Sequence, residues 1–77
     1  MRTHHIKDYT ITLEDESGRT CVLSIHKDCI DEAMKRGYTL SEARESIEDN
    51  KVENAIAEGL IDYECFLIST TFPYTGD

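Results

Sequence analysis

Apolar and polar positions alternate in two stretches near the start of the chain. In "DYTITLED" Tyr9, Ile11 and Leu13 point one way, while Thr10, Thr12 and Glu14 point the other. A period of two carried by β-branched and aromatic residues predicts a half-buried strand. "DESGR" follows with turn chemistry around Gly18. "TCVLSIHK" alternates again, with Cys21, Leu23 and Ile25 opposed to Val22, Ser24 and His26. The two runs lie close enough in sequence to form a hairpin.

The period then lengthens to that of a helix. "KDCIDEAMKRG" carries Ile30, Ala33 and Met34 at i, i+3 and i+4, an apolar face. Asp28 is the expected N-cap, Asp31 and Glu32 complement the positive end of the helix dipole, Lys35 and Arg36 the negative end, and Gly37 can close the helix. A second helix begins at Thr39, which forms with Glu42 the T-x-x-E spacing of a capping box. Its inner stripe of Leu40, Ala43 and Ile47 does not persist. Val52, Ala55 and Ile56 fall roughly 120° further round at 100° per residue. A straight helix cannot bury both stripes in one core, so a kink or break is expected near Asp49–Lys51, with Gly59 ending the second half. "IDYECFLISTTF" is apolar on both faces, which predicts a strand that is central or covered on both sides. The pattern therefore predicts an α+β domain of order β-β-α-α-β: a hairpin plus a C-terminal strand in a three-stranded sheet, with two or three short helices on one face. The second and third strands should run parallel if the helices cross over once. Residues 1–77 form a single small domain with loose ends at 1–5 and 73–77.

Composition narrows the function classes. The chain has 77 residues, so its core is thin and leaves little room for a deep ligand cavity, which typically needs about 300 Å³ or more. No apolar run reaches the roughly 18 residues of a membrane span, and the N-terminus lacks the apolar core of a secretory signal. Cys21, Cys29 and Cys65 are an odd number without close pairing, which favours a reducing, cytoplasmic setting over a structural disulfide. Cys29, three residues after His26 and in the first turn of a helix, is the one arrangement that suggests nucleophilic chemistry. Asp28 and Asp31 flank the thiol and oppose its ionisation, and no orienting third residue can be named, so a small buried or half-buried thiol is expected instead. His4, His5, His26 and the cysteines lack paired metal-ligand spacing, and calcium-loop and phosphate-loop motifs are absent. No enzyme activity, cofactor or metal is expected.

Charge changes the picture most. The net charge is −8, and residues 42–64 hold eight acids against Arg44 and Lys51 alone. Such a field repels nucleic acid and anionic membranes and attracts a basic protein surface. "MKR" at Met34–Arg36 is too small a basic patch to reverse this. On the helical wheel Glu42, Glu45, Asp49 and Glu53 lie within roughly 80° of one another, opposite Ala43 and Ile47, with Glu48 beside them. Like charges at i, i+4 cost a few tenths of a kcal/mol each. The stripe is either a solvated face or a contact surface for an Arg/Lys-rich groove. In its size, its α+β pattern, its acidic excess and the segment "SEARESIEDNKVE", the chain resembles the small inhibitor proteins of phages and mobile elements, in particular anti-CRISPR proteins. The resemblance is one of class; it carries no motif and no residue roles. A monomer or weak dimer is expected, in the cytoplasm of the host cell if the protein is phage-encoded. Such an inhibitor binds a Cas surveillance complex or nuclease and covers, as a DNA mimic, the basic surface that holds DNA. Another acidic partner-binding module, such as an antitoxin or a regulator of a basic DNA-binding protein, would use the same stripe. A small Cys/His enzyme or metal protein is the remaining class.

Overall fold

The structure, a computed structural model, describes residues 7–72. The expected loose ends at 1–5 and 73–77, and with them His4 and His5, lie outside the described residues. The elements are β1 (Tyr9–Asp15), β2 (Thr20–Ile25), α1 (Lys27–Lys35), α2 (Leu40–Ala57) and β3 (Cys65–Thr70). The α+β fold and its β-β-α-α-β order are as the pattern predicts.

The three strands lie in the order β2-β1-β3, and β1 is antiparallel to both neighbours. Strands β2 and β3 thus run in the same direction, but they do not touch; β1 lies between them. Along β1 the residues Tyr9, Ile11, Leu13 and Asp15 are buried on the face that meets the helices. Facing them from β2 are Ile25, Leu23 and Cys21. One group of core residues gathers Tyr9, Ile11, Ile25, Ile30 and Ala43; a second gathers Leu13, Ala55 and Ile61. Burying an Ile of this kind contributes about 1.5–3 kcal/mol.

Strand β3 departs from expectation. It is an edge strand, not a central or doubly covered one. Phe66, Leu67 and Ile68 are 55%, 48% and 46% exposed. Two features explain its two-sided apolar pattern. Leu13 pairs with Leu67 and Thr12 with Ser69, so Ile68 is an extra residue, a bulge that shifts the alternation. Helix α2 packs on β2, the core groups join it to β1, and on the inner face of β3 Leu67 is left 48% exposed.

Helix α1 also differs in detail. Its N-cap is His26, which makes no side-chain cap, and Asp28 lies inside the first turn. The first-turn N–H of Lys27 is satisfied from a distance, by donating to Asp8 Oδ1 at 2.8 Å. Met34 is exposed, so the helix is anchored by Ile30 with Ala33. Both helices end in the same way. Gly37 and Gly59 take φ of +105° and +78°, a region costly for side chains with a Cβ. The N–H groups of Gly37 and Tyr38 return to Met34 and Ala33, and those of Gly59 and Leu60 to Ile56 and Ala55. These are Schellman closures.

Helix α2 runs unbroken for 18 residues, so the expected break at Asp49–Lys51 does not occur. Its buried and half-buried positions are 40, 43, 44, 47, 48, 51, 52, 55 and 56. They repeat every four residues, not every 3.6, and so wind along an i±4 ridge inclined about 26° to the axis. Ala43 and Ile47 meet the first core group, Ala55 and Ile56 the second, and Val52 touches both. The helix buries both stripes by lying obliquely on the sheet. The positions that complete the ridge, Arg44, Glu48 and Lys51, are charged.

Candidate protein-binding face

The capping box fixes the start of the acidic face. Thr39 Oγ1 accepts from Glu42 N at 3.1 Å, and Glu42 Oε1 accepts from Thr39 N at 3.0 Å. Glu42 is therefore exposed but occupied in holding the helix terminus. Glu45, Asp49 and Glu53 follow on the solvent side, all exposed. None of the three forms an ion pair among the described residues.

Of the two cations on α2, Arg44 is drawn away from them. Arg44 turns under the helix. Its Nε donates to Glu48 Oε2 at 3.1 Å, and its guanidinium lies 3.8 Å from the ring centroid of Phe72. Tyr9 Oη donates to the same Glu48 oxygen at 2.6 Å, and the rings of Tyr9 and Phe72 meet at 5.2 Å, tilted by 54°. The Arg44 and Glu48 side chains keep only 26% and 17% of their exposure. Glu48, expected beside the acidic stripe, thus belongs to an inward network that joins α2, β1 and the end of β3. Lys51 lies on the same half-buried ridge. Burial and the Glu48 hydrogen bond push the Tyr9 phenol up to about 12. The sequence signal for this network was present in the i, i+4 spacing of Arg44 and Glu48. Nothing local to α2 points to Tyr9 or Phe72.

A second polar cluster ties two loops together. The buried Asp15 accepts through Oδ1 from Ser17 N, Ser17 Oγ and Arg19 N at 3.0, 2.6 and 3.0 Å, and through Oδ2 from Asp62 N at 3.1 Å. The Ser17 hydroxyl, helped by the Asp62, Arg19 and Ser17 backbone N–H groups, holds this carboxyl below the usual carboxylate range, against the opposing effect of burial. Arg19 Nη1 donates to Gly59 O at 3.0 Å, placing a cation at the C-terminal end of α2, whose own last turn has none.

The residues weighed for chemistry remain apart from both clusters. Cys29 is exposed, not buried or half-buried, and its backbone N–H donates to His26 O at 3.1 Å. His26 Nδ1 lies 3.7 Å from Asp8 Oδ2 on the surface. The Lys27 backbone N–H, with smaller help from His26, lowers the Asp8 pKa. Asp8 and His26 border an open depression of about 200 Å³ with Tyr9, Thr10, Ser24 and Thr71. That volume is below the range of about 300–1,000 Å³ usual for small-molecule pockets. Cys21 and Cys65 are free and half-buried beside Leu13. Burial, with the charge of Asp15, raises the Cys65 thiol pKa. Among the described residues no three His, Cys, Asp or Glu side chains gather as a metal site, and no helix is long and apolar enough to cross a membrane. Comparison with protein-family models, curated proteins and solved structures returned no match to this chain.

Proposed function

We propose that this protein is an acidic binding module that covers a basic, nucleic-acid-binding surface of another protein and so blocks access to it. The observation that carries the reading is the unneutralised face of α2. Glu45, Asp49 and Glu53 stand in solvent, while Arg44 is spent on Glu48 and Phe72 and Lys51 lies on the half-buried ridge. From Glu42 to Glu53 the helix rises about 16 Å at 1.5 Å per residue. Four charges over that length are sparser than the one per about 3.4 Å of a DNA strand. The face suits electrostatic steering and competition for a Lys/Arg-lined channel, and does not require phosphate-for-phosphate imitation. The class resemblance makes a Cas surveillance complex or nuclease the first target to try. An antitoxin-like role would use the same face on a different basic partner.

The test is competition. Purified Cas complexes of several types are offered target DNA with and without the protein, in a salt series, and DNA retention is followed by gel shift. The reading expects loss of DNA binding that fades at high salt. It also expects the loss to vanish with Glu45→Lys, Asp49→Lys and Glu53→Lys combined. Glu42 is left intact because its reversal would open the capping box. A triple variant that competes as well as the native protein would reduce the stripe to a solvated face. If no Cas complex responds, the same variant pair used as bait in bacterial lysates distinguishes the other basic partners.

A further inference from the structure

The outer edge of β3 carries no charged side chain, in a strongly acidic chain, and no described strand pairs with it. Exposed edges are normally blunted by Lys, Pro or inward charges, because their free N–H and C=O groups template pairing with another strand. Strand β3, "CFLIST", carries no Lys, Pro or inward charge; its one blunting feature among the described residues is the bulge at Ile68, and Phe66, Leu67 and Ile68 stand about half exposed along it. The nearest acids, Asp62 and Glu64, lie at its N-terminal end only. The strand is also self-complementary. Its inner-face residues, matched to Asp15, Leu13 and Ile11, are Cys65, Leu67 and Thr70; Phe66 and Ser69 point outward, and Ile68 is the bulge.

We infer that β3 is the pairing edge for a second copy of this chain, joined antiparallel about a two-fold axis into a six-stranded sheet. In that arrangement Cys65 faces Thr70 of the second copy and Phe66 faces Ser69, so each pair keeps its own side of the sheet. Leu67 and Ile68 meet at the centre. A shift of one residue would set inner positions against outer ones, so the bulge selects this register. The antiparallel sense carries the acids of the two copies to opposite ends of the joint, away from each other. An edge without charge gives a basic partner no electrostatic gain, and the matching of inner with inner and outer with outer positions fits a second copy as the occupant. The inference does not depend on the acidic-face reading, since the face lies on α2 and the joint on β3.

Sedimentation equilibrium from about 1 µM to about 1 mM tests it, a span that covers weak to moderate association. The expected result is a mass rising from 8.8 kDa to twice that value. Ile68→Lys, at a bulge position with no partner on β1, should hold the mass at the monomer value with unchanged circular dichroism. The Glu45, Asp49 and Glu53 reversal should still double. Amide exchange of the native protein, which requires no variant, should slow along Cys65–Thr70 as concentration rises. A native protein that stays monomeric throughout overturns the inference. So does a folded Ile68→Lys variant that doubles as the native chain does, or a joint abolished by the α2 reversal.

Discussion

Tyr9 shows how one side chain joins three elements. Its ring lies in the core and its hydroxyl reaches Glu48, whose carboxylate also holds Arg44. Removing the hydroxyl leaves a half-buried carboxylate with one partner fewer, a loss of about 1–3 kcal/mol. Tyr9→Phe should lower the urea midpoint accordingly without changing the slope. Because the folded phenol titrates near 12 and the free one near 10, its contribution is complete below pH 10 and fades as pH rises through about 12. Alkaline unfolding of the native protein should therefore show a step that Tyr9→Phe lacks. Asp15 has the opposite sign. Its carboxyl is lowered, so its contribution is present above the ordinary value of 3.8 and lost as pH falls through the folded value. Asp15→Asn turns an amide donor toward donors already there, whichever way it is rotated. It should destabilise the fold and flatten the acid limb of a stability–pH curve measured by denaturant unfolding. Neither role was legible beforehand. Asp15 read as a turn residue and Tyr9 as one more inward position, because their decisive partners, Asp62 and Glu48, lie 47 and 39 residues away.

At the scale of elements, the short-range signals were the dependable ones. The alternation of Tyr9–Glu14 and Thr20–Ile25, the Thr39/Glu42 box and the closing Gly37 and Gly59 each depend on neighbours within a few residues, and each appears where the pattern put it. Thr39→Ala should cost about 1 kcal/mol by removing a formed cap. Asp28→Ala, which the spacing marks as an equal loss, should change stability by no more than about 0.5 kcal/mol, because Asp28 caps nothing and sits on the surface. Paired thermal melts decide between the two. What failed were expectations that needed the third dimension. A break in α2 follows only where the buried stripe runs parallel to the helix axis; an oblique helix buries a ridge of period four and needs no break. Apolar content on both faces predicts a covered β3, but a bulge at an edge position produces the same content. The candidate face was only half legible. Its acids could be counted, while the withdrawal of Arg44 beneath the helix depends on Phe72, far along the chain.

For the molecule as a whole, an excess of eight negative charges on 77 residues means that folding gathers like charges together. Salt should therefore stabilise the isolated protein by screening, while weakening any complex with a basic partner. Melting temperatures at about 20 mM and about 500 mM salt, where the Debye length falls from roughly 20 Å to roughly 4 Å, check the first effect. The same series with a bound partner checks the second. The placement of β1 has a different kind of consequence, one of timing. This strand is synthesised early, yet one of its two neighbours, β3, ends at Thr70. During translation the hairpin and both helices can assemble first, but one side of the central strand stays unsatisfied until nearly the last of these residues has emerged. Contacts between segments so far apart in sequence are slow to form. A nascent chain stalled before Cys65 therefore carries an exposed strand edge along β1, and that half-made sheet is the form most open to proteolysis and to mispairing with its neighbours on a polysome.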